Sequence, residues 1–206
     1  MNAGDDQERS GGLSIAMNET ELPDQHTVLR AFWEELDVPH GWRTEIVKGS
    51  VVVTPPPANR HAIVAALLHE QSVLAERQGW GVHQTQAIEF APTGDIYVPD
   101  LLIYPREEMP EDGYTAPAEH ALFVVEITAL SNPDYYRKRK LWGYAHGQVP
   151  LYLLIDAHAS DGPHVTLYSL LENGVYQSMT RVPYGEVITL PEPFELKIDT
   201  GQFPRP

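Results

Sequence analysis

The chain has 206 residues, of which 42% are hydrophobic and none is cysteine, and its formal net charge is -15. A chain of this size can bury one substantial core, and the lack of cysteine excludes disulfides and thiolate metal sites, so any metal must be held by oxygen or imidazole ligands. That favours a hard cation such as Mg²⁺ or Mn²⁺, while the acidic charge argues against broad, non-specific attraction to nucleic acid.

The composition along the chain predicts its domain organisation. Residues 1–22 are rich in Gly, Ser, Asn and acidic residues without periodicity, which predicts a flexible tail, and residues 23–206 then form a single domain. No apolar run approaches the roughly 18 residues of a membrane span, and the first ten residues lack the pattern of a signal peptide. We therefore expect a soluble, cytoplasmic protein with no membrane association.

In chain order, the first half begins with helical spacing of apolar residues over 27–36. Alternation over 43–53 predicts a hairpin that turns at Lys48-Gly49. Residues 61–77 have one continuous apolar face and predict a helix, with Asn59 as a candidate N-cap. The apolar face of this helix must cover a sheet.

The remaining pattern predicts strands, one further helix over 131–147 and turn signals near the end of the chain. The predicted strands are 86–90, 97–104, 122–128, 151–155, 165–170, 175–179 and 187–190. The run from 122 to 128 is apolar at most consecutive positions, as expected for a central strand covered on both faces. The fold class is therefore α/β, with a mixed β-sheet flanked by helices and extra antiparallel strands at the C-terminus.

Two carboxylates and a lysine stand out along the middle of the chain. Asp100 follows Val98-Pro99, Glu126 lies in the apolar run Phe123-Val124-Val125-Glu126-Ile127, and Lys140 falls in the second predicted helix. An ionised group in a buried strand is expensive unless it is paired or binds a metal. The 26 positions between the carboxylates suit two neighbouring strands, so both could share a divalent ion near Lys140, the minimum set for metal-assisted phosphodiester hydrolysis.

Each candidate also has a purely structural interpretation. Asp100 could bond nearby backbone at a strand bend, and Glu126 could pair with an arginine or lysine. Lys140 could be a solvated lysine, with Lys138 as the competing choice. Glu45 could be an exposed hairpin residue.

Three aromatic side chains are interpreted in the same way. His61 at a helix start is more often a cap or packing residue than a ligand. Trp142 and Tyr144 could stack bases, but aromatic residues on an amphipathic helix are usually core.

At these residues the chain resembles the Uma-type family of restriction endonuclease-like proteins, which belongs to the PD-(D/E)XK nuclease superfamily. The motifs that carry the resemblance follow one another in order over roughly residues 27–156. They are Thr44-Glu45-Ile46-Val47-Lys48-Gly49-Ser50-Val51, Pro57-Ala58-Asn59-Arg60-His61, Pro99-Asp100 with Val124-Val125-Glu126-Ile127, and Lys140-Leu141-Trp142-Gly143-Tyr144 with Val149-Pro150-Leu151-Tyr152-Leu153-Leu154-Ile155-Asp156.

The resemblance implies a metal site formed by Asp100 and Glu126, completed by the carbonyl of Ile127 and by waters. It implies that Glu45 is an accessory carboxylate and that Lys140 is a catalytic lysine displaced onto the following helix. In the plain superfamily pattern the lysine stands two places after the second acid, where this chain has Thr128.

The function expected from these features is a Mg²⁺- or Mn²⁺-dependent endonuclease that hydrolyses phosphodiester bonds of DNA. A homodimer is expected because cutting both strands of a duplex needs two sites. An alternative is a non-catalytic nuclease-like scaffold that serves protein interaction or regulation, and an RNA or structured-nucleic-acid nuclease would share the same chemistry.

Overall fold

The structure is a computed structural model that describes residues 24–73, 79–128 and 135–205, so the predicted tail over 1–22 lies outside the described residues. The elements of the described residues follow in chain order. They are α1 (Gln25–Glu35), β1 (Arg43–Val47), β2 (Ser50–Thr54), α2 (Asn59–Ser72), β3 (Trp80–His83), β4 (Ala87–Phe90), β5 (Asp95–Tyr97), β6 (Leu101–Pro105), β7 (Thr115–Pro117), β8 (Phe123–Ile127), a π-helical turn (Tyr135–Lys140), α3 (Leu141–His146), β9 (Leu151–Asp156), β10 (His164–Glu172), β11 (Val175–Pro183), β12 (Val187–Thr189) and β13 (Lys197–Asp199).

The larger sheet has six strands in the order β11-β10-β9-β8-β6-β3. Its one parallel pair joins β8 to β9, and the other neighbours are antiparallel. Every residue of β8 is buried, as the apolar run predicts for a strand covered on both faces. A parallel pair needs a crossover connection, and the π-helical turn and α3 lie within that connection.

Two apolar cores cover the two faces of this sheet. On one face, Val64 and Leu68 of α2 pack with Val125 and Ile127 of β8 and with the C-terminal segment. On the other face, Tyr144 of α3 packs with alternate residues of the same strands and with the second sheet, in the order β2-β1-β5-β4-β7. The mixed α/β fold predicted from the sequence is therefore confirmed.

The predicted hairpin is confirmed, with β1 and β2 joined at Lys48-Gly49. Both residues have positive φ, +48° and +72°, as a type I′ turn requires. The predicted strand over 97–104 is wrong as one element, because the chain leaves the second sheet after β5 and enters the larger sheet at β6. Pro99-Asp100 stands between the two pieces, and proline in a run is a sign that one strand does not continue.

The helix predicted over 61–77 begins earlier, at Asn59, and is described as far as Ser72. Asn59 is not its N-cap, because the cap position is Ala58 and carries no side-chain hydrogen bond.

At the C-terminus, β10 and β11 extend the larger sheet, while β12 and β13 form a small sheet of their own. None of the helices in the described residues combines the length and apolar character that a membrane crossing requires.

Candidate active site

Asp100 and Glu126 lie side by side where two neighbouring strands meet. Asp100 directly precedes β6, which pairs with β8, and its N-H donates to the carbonyl of Val125 at 3.0 Å. The carboxylate turns back to the same strand, since the N-H of Ile127 donates to Oδ2 at 2.8 Å. Asp100 is 2% exposed and Glu126 1%. The spacing of the two acids therefore predicted their juxtaposition correctly.

Lys140 brings a positive charge to Glu126. Its Nζ donates to Glu126 Oε1 at 2.9 Å and to Glu45 Oε1. Lys140 is 1% exposed, so it is not a solvated lysine, whereas the side chain of Lys138 is exposed. Lys140 ends the π-helical turn, a kind of local widening that is frequent at functional sites.

Glu45 joins the group from the second sheet. It lies in β1, is buried rather than exposed, and accepts a hydrogen bond from the N-H of Val98 at 2.6 Å. That N-H belongs to the segment in which the chain passes between the two sheets. The carboxylate of Glu45 thus links this crossing segment to Lys140.

Tyr144 is a member of the site that the sequence analysis interpreted as a core residue, with base stacking as the alternative. It is fully buried, and its hydroxyl donates to the same Glu126 oxygen that Lys140 contacts. Residues four apart lie on one helix face, so the spacing from Lys140 was the available signal. Trp142 instead is exposed and stacks on His146, with ring centroids 3.9 Å apart.

A close approach of α3 to the second sheet sets the position of Lys140. Its Nζ lies 4.7 Å from the ring centroid of Tyr97, and a Cβ on Gly143 would overlap the Tyr97 ring and hydroxyl. We expect Gly143→Ala to cost about 1–3 kcal/mol of unfolding free energy because the helix must move away. Urea denaturation measures this cost.

The matched comparison is Gly143→Ala in a Tyr97→Phe background. Tyr97→Phe removes the hydroxyl that a Cβ on Gly143 would meet first and keeps the ring. The double variant should recover part of the lost stability. A Gly143→Ala protein as stable as the parent would contradict the close packing.

Asp100 is held by two side chains that sequence reasoning did not assign to the site. Arg43 Nη1 lies 2.6 Å and His61 Nε2 2.9 Å from Asp100 Oδ1. Burial alone would raise the pKa of Asp100, but the hydrogen bond and charge of His61 and those of Arg43 outweigh it, so the pKa is lowered. These partners are 57 and 39 positions away in the chain, and of the two only His61 lies in one of the motifs that carry the family resemblance.

Glu126 lies among charges of both signs. Burial raises the pKa of Glu126, the attraction of Lys140 opposes that rise, and repulsion from Asp100 and Glu45 adds to it. Burial alone would lower the pKa of Lys140, but the two glutamates outweigh it and the pKa is raised. Lys140 is therefore a fixed cation, and burial together with the neighbouring carboxylates makes Glu126 harder to ionise than a free glutamate.

Thr128 occupies the position where the plain superfamily pattern has a lysine. Its hydroxyl donates to Asp156 Oδ1 at 3.1 Å, and the same oxygen accepts the N-H of His158 at 3.1 Å. Thr128 therefore fastens the ends of β8 and β9 to each other. The cation that faces Glu126 comes from Lys140 instead.

The sequence profile of one protein family, Uma2, matches residues 30–201, and its description is "Putative restriction endonuclease". The match spans most of the chain. The chain belongs to the Uma2 family. Membership supports nuclease function and confirms the resemblance found in the sequence motifs.

A solved structure has the same fold as this Uma2 member. It comes from Anabaena variabilis and is described as "a putative nuclease belonging to DUF820". The TM-score is 0.64 with 14% sequence identity, over 82% of this chain and 93% of that one. No curated protein matches the chain in sequence.

Restriction endonuclease-like proteins generally use divalent metal ions, and Asp100 and Glu126 carry oxygen donors of the kind that such an ion takes. Within the described ranges, no three His, Cys, Asp or Glu side chains come together as a metal-binding group. Mg²⁺, however, commonly uses one or two carboxylates and keeps several waters. Hydrogen bonds from described residues occupy both carboxylate oxygens of Asp100, whereas on Glu126 they reach Oε1 and leave Oε2 without one.

Proposed function

We propose that this protein is a metal-dependent endonuclease that hydrolyses phosphodiester bonds of DNA. The observation that carries the proposal is the buried ion-pair network in which Lys140 joins Glu126 and Glu45, with Asp100 on the neighbouring strand. Several buried charges cost folding free energy, so a purely structural role would be better served by apolar residues of similar volume. The family description points to the same activity.

In this proposal Asp100 and Glu126 hold Mg²⁺ or Mn²⁺ together with the carbonyl of Ile127 and waters. When bound, the ion supplies Lewis acidity at the scissile phosphate. The contacts of Arg43 and His61 keep the Asp100 carboxylate ionised and oriented for this task.

Lys140 provides a positive charge for the transition state. Its raised pKa keeps the ammonium protonated, so it is suited to orient the attacking water and to stabilise charge building on the phosphate rather than to remove a proton. Glu45 and Tyr144 are positioning residues for Lys140 and Glu126. Glu45 holds Lys140 from the opposite sheet, and Tyr144 fixes Glu126 Oε1.

The net charge of -15 affects how this protein can bind nucleic acid. An acidic protein attracts a polyanion weakly, so binding should depend on local cations and on the bound metal. A homodimer would place two such sites on a duplex, and we expect cleavage of both strands only from that form. Sedimentation velocity on the purified protein measures whether it exists.

The test is incubation of purified protein with supercoiled and single-stranded DNA at low salt in Mg²⁺ or Mn²⁺. Glu126→Ala should abolish cleavage because it removes a metal ligand and the partner of Lys140. Glu172→Ala, an exposed glutamate at the end of β10, is the matched control and should cleave as the parent does. RNA of the same length, run in parallel, identifies the preferred nucleic acid.

Cleavage that needs metal and disappears in Glu126→Ala supports the proposal. The absence of cleavage with either metal, together with no stabilisation by metal, would contradict it. That result would favour the non-catalytic scaffold.

A further inference from the structure

We propose that a small apolar pocket beside the candidate active site binds one nucleobase of the substrate strand. This inference rests on the proposed nuclease function. The pocket has a volume of about 250 Å³ and lies between the start of α2 and the ends of β8 and β9. The pocket itself has no role in the hydrolysis proposed above.

The pocket shares residues with the candidate site. His61 lines it and also contacts Asp100 Oδ1 at 2.9 Å. Ile127 lines it and donates its N-H to the other Asp100 oxygen. His61 and Ile127 therefore connect the pocket directly to Asp100, and a phosphate held at Asp100 would have the pocket near it.

The lining suits a flat ring with polar edges. Most of it is apolar, from residues such as Pro57, Val64 and Ala157, and the ring of Tyr184 adds an aromatic surface. The Tyr184 hydroxyl is buried and has no hydrogen-bond partner in the described residues. A base stacks on aromatic and apolar surfaces and offers donors and acceptors on its edge.

Arg60 provides a cation at this pocket. Its side chain is exposed, and it makes no ion pair with the described residues. In an acidic protein, an unpaired arginine beside an apolar pocket and a phosphodiester site is suited to contact a backbone phosphate. The arrangement of base pocket and phosphate contact fits one strand of nucleic acid.

The size of the pocket limits what enters. It is smaller than the roughly 300 Å³ at which pockets for whole small ligands begin, so it admits one ring system and not a base pair. The base must then be unpaired, as in a single strand or a flipped nucleotide. The pocket thus predicts a preference for single-stranded or locally opened DNA.

The test compares binding of a fluorescein-labelled ten-nucleotide poly-dT with that of an abasic ten-mer of the same backbone charge. Fluorescence anisotropy is measured in Mg²⁺ with Lys140→Met protein, which keeps both metal ligands; Glu126→Gln replaces it if that variant does not fold. Ala58→Trp fills the pocket from an exposed position, and Ala66→Trp adds the same side chain to an exposed position of α2 outside the pocket.

We expect poly-dT to bind about tenfold more tightly than the abasic strand, as one stacked base would give. Ala58→Trp should reduce the difference to less than about twofold, and Ala66→Trp should keep it. Equal binding of the two strands, or a difference that survives Ala58→Trp, would overturn the inference; if the parent protein still cleaves DNA, the proposed function stands. Binding of neither strand with no cleavage by the parent would overturn both.

Discussion

Replacing Lys140 with methionine should lower the rate of DNA cleavage by about 10²–10³-fold, as removal of one preorganised electrostatic group from an active site typically does. Methionine keeps the length and apolar stem of lysine but removes the charge that contacts Glu126 and Glu45. The measurement is the initial rate of supercoiled plasmid cleavage in Mg²⁺. Lys138→Met, on an exposed side chain two positions away, is the matched control.

In Lys140→Met, a lower cleavage rate must be distinguished from a loss of folded protein. Breaking a buried ion pair can cost about 3–5 kcal/mol because a charge is left without its partner. Here Glu126 can take up a proton instead, so the cost should fall below that range. Circular dichroism at the assay temperature shows whether the variant is folded. A folded Lys140→Met protein with the parent rate, or an equal loss in Lys138→Met, would contradict the role of Lys140.

Mg²⁺ should raise the thermal midpoint of the parent protein and leave that of Asp100→Asn unchanged. At 100 times its Kd, a ligand that binds only the folded state contributes about 2.7 kcal/mol. For a chain of this size, that corresponds to a shift of about 5–10 °C. Differential scanning fluorimetry over a series of Mg²⁺ concentrations measures the shift.

Asp112→Asn is the matched control for this experiment, since it removes the same charge from an exposed loop position. It should keep the full shift. Asn cannot supply the charge of Asp100 to a divalent ion, nor pair as strongly with Arg43 and His61, so its own baseline midpoint should be lower. An equal shift in Asp100→Asn would mean that Mg²⁺ binds elsewhere on this acidic surface.

Local patterns predicted much of the fold. The turn at Lys48-Gly49 and the fully buried strand β8 follow from turn chemistry and from apolar runs, which depend on residues close together in the chain. The break between β5 and β6 was missed because burial on both sides of it outweighed Pro99, the local signal that a strand ends there. No pattern of hydrophobic residues distinguishes a buried strand that continues from one that crosses over.

The residues of the candidate site were also predicted only in part from local sequence. A carboxylate within the apolar run of β8 requires a partner, so the sequence alone marked Glu126 as a buried polar group. The cation that pairs with Glu126 depends on contacts between residues that are distant in the chain. Lys140 is 14 positions from Glu126, and Glu45 is 95 positions from Lys140. Lys140 was marked both by the sequence pattern and by the family resemblance, and Glu45 by the resemblance alone.

The partners of Asp100 were missed for a physical reason. Arg43 and His61 reach it from β1 and α2, elements that could be placed on either face of the sheet from sequence alone. Tyr144 was assigned to the core, and it does pack there, but its hydroxyl also contacts Glu126. A buried tyrosine needs a hydrogen-bond partner, and that requirement was the overlooked signal.

The most direct test of the central claim is a crystal structure of the protein grown in Mn²⁺, with anomalous diffraction measured near the manganese edge. The proposal predicts an anomalous peak bonded by carboxylate oxygens of Asp100 and Glu126, with the Lys140 ammonium still beside Glu126. The absence of any peak at these two carboxylates at saturating Mn²⁺ would contradict the assignment of a metal-dependent nuclease site.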